Sequence, residues 1–314
     1  MFSSTVDFYS PTNLKSYNLD RVMKYQLDIL ERLDPFTRTH SENVANLVCR
    51  ICEYLNCSKN FIIFATISGY LHDVGKIFIP PELLSKPDRL TPEEFEIMKT
   101  HTTLGYDMCY KDLKLRPYAE GALNHHEALN GTGYPNGKTK KDIPYVAQII
   151  RVADEYDAIV TKRQYKTHIN ISETLKQLIK DARPEEHLRS IALDMLAGHS
   201  KSGKINPKVL KTLFKVVIDD TLYEISGVSE YVAYLKEEIK RLNLIASYEE
   251  KMNDSKKQKQ KDYYLEGINM LLKHDETLEN YKQILSEYQE ALDLREDMIA
   301  KLNQEIKIIK ALRI

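Results

Sequence analysis

Apolar residues three or four positions apart govern most of this chain. Val22, Leu27, Leu30 and Leu33, then Val44, Leu47, Val48, Ile51 and Leu55, keep that interval, so the sequence predicts two helices between about 19 and 55. They break at Asp34-Pro35, because proline cannot continue the backbone ladder. The same period returns over 61–72, 95–109, 145–160 and 171–179. Thr91-Pro92-Glu93-Glu94 supplies an N-cap with proline in the first turn before the helix over 95–109. Strand signals are scarce, so an all-α fold is expected.

The character of the chain changes near Asp220, beyond which Gly and Pro nearly vanish. From Leu278 the residues fit a heptad, with Leu278, Leu285, Leu292, Ile299, Ile306 and Arg313 at a and Tyr281, Tyr288, Arg295, Leu302 and Ile309 at d, nine of the eleven being apolar or aromatic. Such a seam suits a homodimer through the C-terminal helices or a hairpin folded back on its own chain. The polar run SKKQKQKD at 255–262 reads as a break or solvated turn, and it lacks the interleaved aromatics of a single-strand nucleic-acid site. The expected organisation is a short leader over 1–19, a helical domain over 20–220, and a long-helix extension over 221–314 with a coiled coil from about 278.

Forty-five basic and 46 acidic residues leave a formal charge of −1, which argues against a whole-chain footprint for nucleic acid or an anionic membrane. The start MFSSTVDFYSPTN lacks the basic-then-apolar order of a signal peptide, and no apolar run approaches the length of a span. A cytoplasmic protein without membrane partners is expected. Cys49, Cys52, Cys57 and Cys109 are too few and too clustered for a disulfide framework. The Cys49/Cys52 pair has no second CxxC to complete a metal site, and it reads as small buried residues on a helix.

Ionisable groups break the apolar pattern at particular places. His40, His72-Asp73, His101, His125-His126 and Asp154 each fall on or at the end of an expected helix. Imidazole and carboxylate are ligand types that suit iron, manganese or zinc, and the absence of a nearby thiolate set argues against structural zinc. Gly131, Gly133, Pro135 and Gly137 mark a loop between two of these helices, a candidate cleft wall.

Five stretches together resemble the HD-GYP family of HD-superfamily metal-dependent phosphohydrolases. They are HSENVANL (40–47), LHDVGKIFIPPELLSKPDRLTPEEFEIMKTHTTLGYDM (71–108), HHEALNGTGYPNGKTKKDIP (125–144), RVADEYDAIVTKRQYK (151–166) and SGKINPKVLKTLF (202–214). The resemblance implies an HD-superfamily helical bundle followed by the helical extension, and hydrolysis of cyclic di-GMP either to linear pGpG or onward to GMP. It makes His40, His72, Asp73, His101, His125, His126 and Asp154 ligands of two divalent ions, iron(II) or manganese(II), with Asp73 the bridge. A metal-bridging hydroxide would be the nucleophile.

By the same resemblance Asp73 and Lys76 are catalytic, and Lys76, Tyr134, Arg163 and Lys166 contact the cyclic dinucleotide. Asp157, one turn beyond Asp154, orients a ligand. Some members add a third metal through a Glu four residues before the first ligand histidine; here that residue is Phe36, so two ions are expected. Asn130, Gln148 and Gln164 also depart from the usual residues. They keep open another cyclic dinucleotide as substrate; a separate alternative is a receptor that signals through its coiled coil to a partner.

Overall fold

A rigid cap opens the first long helix. The Asp34 carboxylate accepts from the Thr37 amide at 3.0 Å and Pro35 takes the first helical position, so α1 (Pro35–Tyr54) begins where proline's fixed φ favours it. In α2 (Lys59–Leu71) the Ser58 hydroxyl caps the Phe61 amide. There follow the single turn α3 (Pro81–Leu84), then α4 (Pro92–Lys99), α5 (His101–Lys111), α6 (Ala119–Asn124), α7 (Tyr145–Gln164), α8 (Ile171–Ala182), α9 (Pro207–Asp254), α10 (Gln258–Leu271) and α11 (Tyr281–Ala311). This computed structural model describes residues 30–164, 171–183 and 203–313, with the side chains of 161–164 left out. No strand occurs among the described residues, and the fold is all-α.

Two compact units divide the chain, Met1–Ile218 with Ile309–Ile314, and Asp219–Ile308. In the first, α1, α2, α7, α8 and the start of α9 share one core, to which Leu47, Ile51, Ile149, Ile150, Leu175, Leu178 and Leu213 contribute fully buried side chains. Each such side chain contributes about 1.5–3 kcal/mol by leaving water. Cys49 and Cys52 lie in that core as free, buried thiols. A second cluster through Leu33, Ile67, Tyr70, Leu71, Cys109 and Leu115 seats α5 beside α2. Gly75, in the 3-10 turn Val74–Phe78 that follows α2, lets α5 come close to that turn, since a Cβ there would stand 1.9 Å from the His101 carbonyl oxygen.

In the second unit Leu242, Ile245, Ile268 and Tyr281 form a small core. The ion pairs Lys282–Glu249 and Lys236–Glu296, both 2.7 Å, run in opposite order along α9 and α11, so the helices are antiparallel within one chain. The heptad positions Tyr281, Leu285, Tyr288, Leu292, Ile299, Leu302 and Ile306 are all wholly or partly covered.

Three details differ from the sequence reading. The helix expected over 95–109 is two helices, because the chain breaks at Thr100 and restarts at His101. The change of character near 220 falls inside the continuous α9. Residues 59–78 average a mean hydropathy of 1.2, enough for a membrane span by composition, but 67% of that stretch is buried in the protein and its helix stops at Leu71.

Candidate metal centre

Helix ends bring the ionisable groups together. His72 closes α2 with Asp73 next to it, His101 opens α5, and His125 closes α6 with His126 next to it. His40 and Asp154 come from within α1 and α7. All seven converge, and all but His126 are buried. Asp73 lies at the middle. Its Oδ1 faces His101 Nε2 at 3.4 Å and His125 Nε2 at 3.8 Å, while its Oδ2 faces His72 Nε2 at 3.4 Å and His40 Nε2 at 3.7 Å. Asp154 repeats this division, with Oδ1 3.0 Å from His40 Nε2 and Oδ2 3.8 Å from His126 Nδ1.

The donors therefore form two groups that share one carboxylate. Asp73, His101, His125 and His126 make one, and His40, His72 and Asp73 the other, with ligand atoms within 4.8 Å of one another in each. Local hydrogen bonds settle which nitrogen points inward. His72, His101 and His125 each direct Nδ1 at the carbonyl three residues earlier, of Gly69, Met98 and Ala122, at 2.6, 2.7 and 2.8 Å. A carbonyl only accepts, so Nδ1 carries the proton and the Nε2 lone pair is left for the centre. Those lone pairs meet nothing that satisfies them. His101 Nε2 and His125 Nε2 stand 3.2 Å apart, and His72 Nε2 and Asp73 Oδ1 are buried without a hydrogen-bond partner. Apposed lone pairs and an orphaned carboxylate oxygen fit cations between them.

The titration behaviour follows from burial and from the carboxylates. Burial, reinforced by the neighbouring imidazoles, holds His125 far below its ordinary value, and burial lowers His126 to about 3. Burial lowers His101 as well. All three are thus neutral at physiological pH. For His40 burial acts downward but is outweighed by hydrogen bonds to Asp154 and Asp157, which raise it to about 10. Burial would raise Asp73, yet the charge of Lys76 holds it well below the carboxylate range. Lys76 Nζ donates to Asp73 Oδ2 at 2.5 Å.

Asp157 Oδ2 accepts from His40 Nδ1 at 2.7 Å, which aims His40 Nε2 at the centre. Tyr134 stacks on the His126 ring at 4.7 Å. It sits in a loop pinned by a residue that the sequence reading overlooked. Glu127, 1% exposed, accepts from the amides of Asn136 and Lys138 at 2.7 and 2.8 Å. Its signal was present in the sequence as an acid beside two histidines, ahead of a glycine-rich turn. Arg151 adds a bond of 2.7 Å to the His126 carbonyl, and Gly133 leaves no space for a Cβ, which would lie 2.2 Å from the Ala128 nitrogen. Asn130 and Gln148 are spent on structure. Asn130 Oδ1 accepts from Thr132, while Gln148 donates to the Ile143 carbonyl and accepts from Asn206. The side chain of Arg163 and the whole of Lys166 lie outside the described residues.

A buried histidine and aspartate set gathered at the ends of a helical bundle defines the HD class, and the HD domain family profile matches residues 24–187. The chain belongs to that family. With the Gly133-Tyr134-Pro135 loop in place and relatives named as cyclic di-GMP phosphodiesterases, it is an HD-GYP member. It is similar to a cyclic di-GMP phosphodiesterase of Thermotoga maritima, 41% identical over 158 residues that cover 48% of this chain and 43% of the relative. It is also similar to the 3′3′-cGAMP-specific phosphodiesterase 3 of Vibrio cholerae, 33% identical over 147 residues, 47% of this chain and 32% of the relative. The crystal structure of the L. monocytogenes phosphodiesterase PgpH HD domain with cyclic-di-AMP aligns at a TM-score of 0.43 and 22% identity, over 59% of this chain and 91% of that one. The chain spans less than half the length of the curated relatives it matches.

Proposed function

We propose that this protein is a phosphodiesterase using two divalent ions, iron(II) or manganese(II), to hydrolyse cyclic di-GMP to linear pGpG or onward to GMP. The observation that carries the reading is Asp73, with one carboxylate oxygen toward each group of imidazoles. The curated relatives, named as cyclic di-GMP and cGAMP phosphodiesterases, support the substrate class.

His40, His72 and Asp73 would hold one ion, and Asp73, His101, His125 and His126 the other, with Asp154 reaching toward both groups. When bound, the ions supply Lewis acidity for the phosphodiester and a hydroxide nucleophile at neutral pH. The chain's own residues do the rest. Asp157 keeps the His40 proton on Nδ1, and the three helix-end carbonyls do the same for His72, His101 and His125. Lys76 fixes Asp73 and, 21% exposed, presents an ammonium to an arriving phosphate. Tyr134 holds His126 in place by stacking. Arg163 and Lys166 add phosphate contacts in this reading. A cytoplasmic setting goes with the four free thiols. A homodimer through the C-terminal helices, or a signalling partner there, goes with the exposed Tyr223, Met270 and Leu294.

The test is product chromatography after anaerobic incubation of metal-loaded protein with cyclic di-GMP, beside the His72→Ala/Asp73→Ala double variant. Linear pGpG or GMP from the wild type alone is the expected result. Metal-loaded wild type that yields no product would overturn the reading, and retained nucleotide binding in that case would mark a receptor.

A further inference from the structure

Phe36 occupies the second position of α1 and is 53% exposed. A single exposed aromatic is ordinary, but this one has a fixed place. The Asp34 cap and Pro35 set the direction of the first turn, and Phe36 lies four residues before His40, on the same helix face as that donor. It also lines a cavity of about 1030 Å³ that reaches Lys76, the lysine bonded to Asp73. That volume stands at the upper end of the roughly 300–1,000 Å³ typical of small-molecule sites, which is more than a lone phosphate requires.

The walls indicate which part of a ligand belongs there. Of the three lining cations, Lys76 is paired with Asp73 and Lys86 with Glu94 at 2.6 Å, and the third, Arg32, shares the wall with the Asp34 carboxylate, so the wall carries no excess of positive charge. Much of the remaining surface, including Ile79, Pro81 and Leu84, is apolar. Such a wall suits a flat, uncharged ring better than a second phosphate. A phenyl ring has no donor atom for a cation, so Phe36 can recognise only by packing and stacking.

Resting on the cyclic-dinucleotide reading above, we infer that this cavity seats one purine base of the substrate against the Phe36 ring, making Phe36 a determinant of substrate affinity. The phosphodiester then lies toward Lys76 and the metal centre, and the base lies outward along α1. Stacking of this kind accepts any purine. The cavity therefore selects for a nucleobase over a bare phosphodiester, and not for guanine over adenine.

The experiment compares metal-loaded wild type, Phe36→Ala and Phe36→Tyr, with steady-state kinetics on cyclic di-GMP and inorganic phosphate as a competitive inhibitor. Half exposure of the ring makes loss of folding in Phe36→Ala unexpected, and metal content is measured for each protein. The expected result is a KM raised about 5-fold or more in Phe36→Ala, as loss of one base–aromatic stack gives, with the phosphate inhibition constant held and Phe36→Tyr close to wild type. An unchanged KM overturns the inference, as does a KM and a phosphate constant that rise together. If the wild type binds cyclic di-GMP without cleaving it, the enzymatic reading fails alone, and equilibrium dialysis of the same three proteins decides the role of Phe36 by the same fold-change. If the wild type neither binds nor cleaves it, both fail.

Discussion

Each unit of the molecule holds a cluster of charged side chains with buried members, and the two clusters are finished differently. In the second unit Arg241 forms a two-pronged pair with Glu276 at 2.5 and 2.6 Å, bonds Glu238 at 2.8 Å, and gives a further bond to the Leu271 carbonyl. Lys273 completes Glu238 at 2.7 Å. Charges there are matched by charges and the network is closed. In the first unit the imidazoles and carboxylates outnumber the protons and cations available, and His72 Nε2 and Asp73 Oδ1 have no hydrogen-bond partner. Burial of polar groups is common to both, so burial alone does not mark a functional site. The mark is unsatisfied valence held in place by bonds on the outer side of each ring.

One effect expected from that difference is thermal. An ion that binds the folded chain and not the unfolded one stabilises it by about 2.7 kcal/mol at one hundred times its Kd. For a domain of this size that raises Tm by about 5–10 °C. Manganese(II) added to metal-free protein should give such a rise in the wild type and none in His72→Ala/Asp73→Ala. An equal rise in both would show that the ion binds elsewhere. A smaller one comes from Arg241→Ala, which leaves Glu276 and Glu238 without their main partner. A loss of about 1–2 kcal/mol is expected in urea unfolding, less than for a fully buried pair because solvent reaches the rim. Metal content should not change. A loss of bound metal in Arg241→Ala would erase the distinction between the closed cluster and the open one.

The sequence shows these two regions unequally. The helical period gives α1, α2, α7 and α8 closely, because each buries a stripe of Leu, Ile and Val that only a 3.6-residue repeat can align. The seven donors stand out through the resemblance, and the structure brings them within reach of one another. What the sequence leaves hidden is set by backbone direction. The tautomers of His72, His101 and His125 depend on carbonyls at Gly69, Met98 and Ala122, and the break at Thr100 that delivers His101 has no proline or glycine to announce it. Glu127 was passed over because its task, holding the amides of Asn136 and Lys138, exists only once the loop has closed. In the extension the heptad shows that α11 has a seam but cannot show what covers it. The ion pairs with Glu249 and Lys236 show that α9 of the same chain lies along it.

A pH dependence also separates the open cluster from the closed one. In metal-free protein His40 titrates near 10 against an ordinary 6.5: burial acts downward, but the bonds to Asp154 and Asp157 prevail. The folded state then holds a proton that the unfolded state has released, so the stabilisation is complete below pH 6.5 and is lost as pH rises toward 10. His126 has the opposite sign. Burial lowers it to about 3, so its contribution is present above pH 6.5 and is lost on acidification toward 3. One proton contributes at most about 1.4 kcal/mol per pH unit, and the metal-free protein should be most stable near pH 6.5. Urea midpoints measured between pH 6.5 and 10 should fall in the metal-free wild type and fall less in His40→Gln. Bound metal should flatten the wild-type slope as well, because an ion takes the place of that proton. A decline that persists undiminished in His40→Gln would place the titrating group outside the centre.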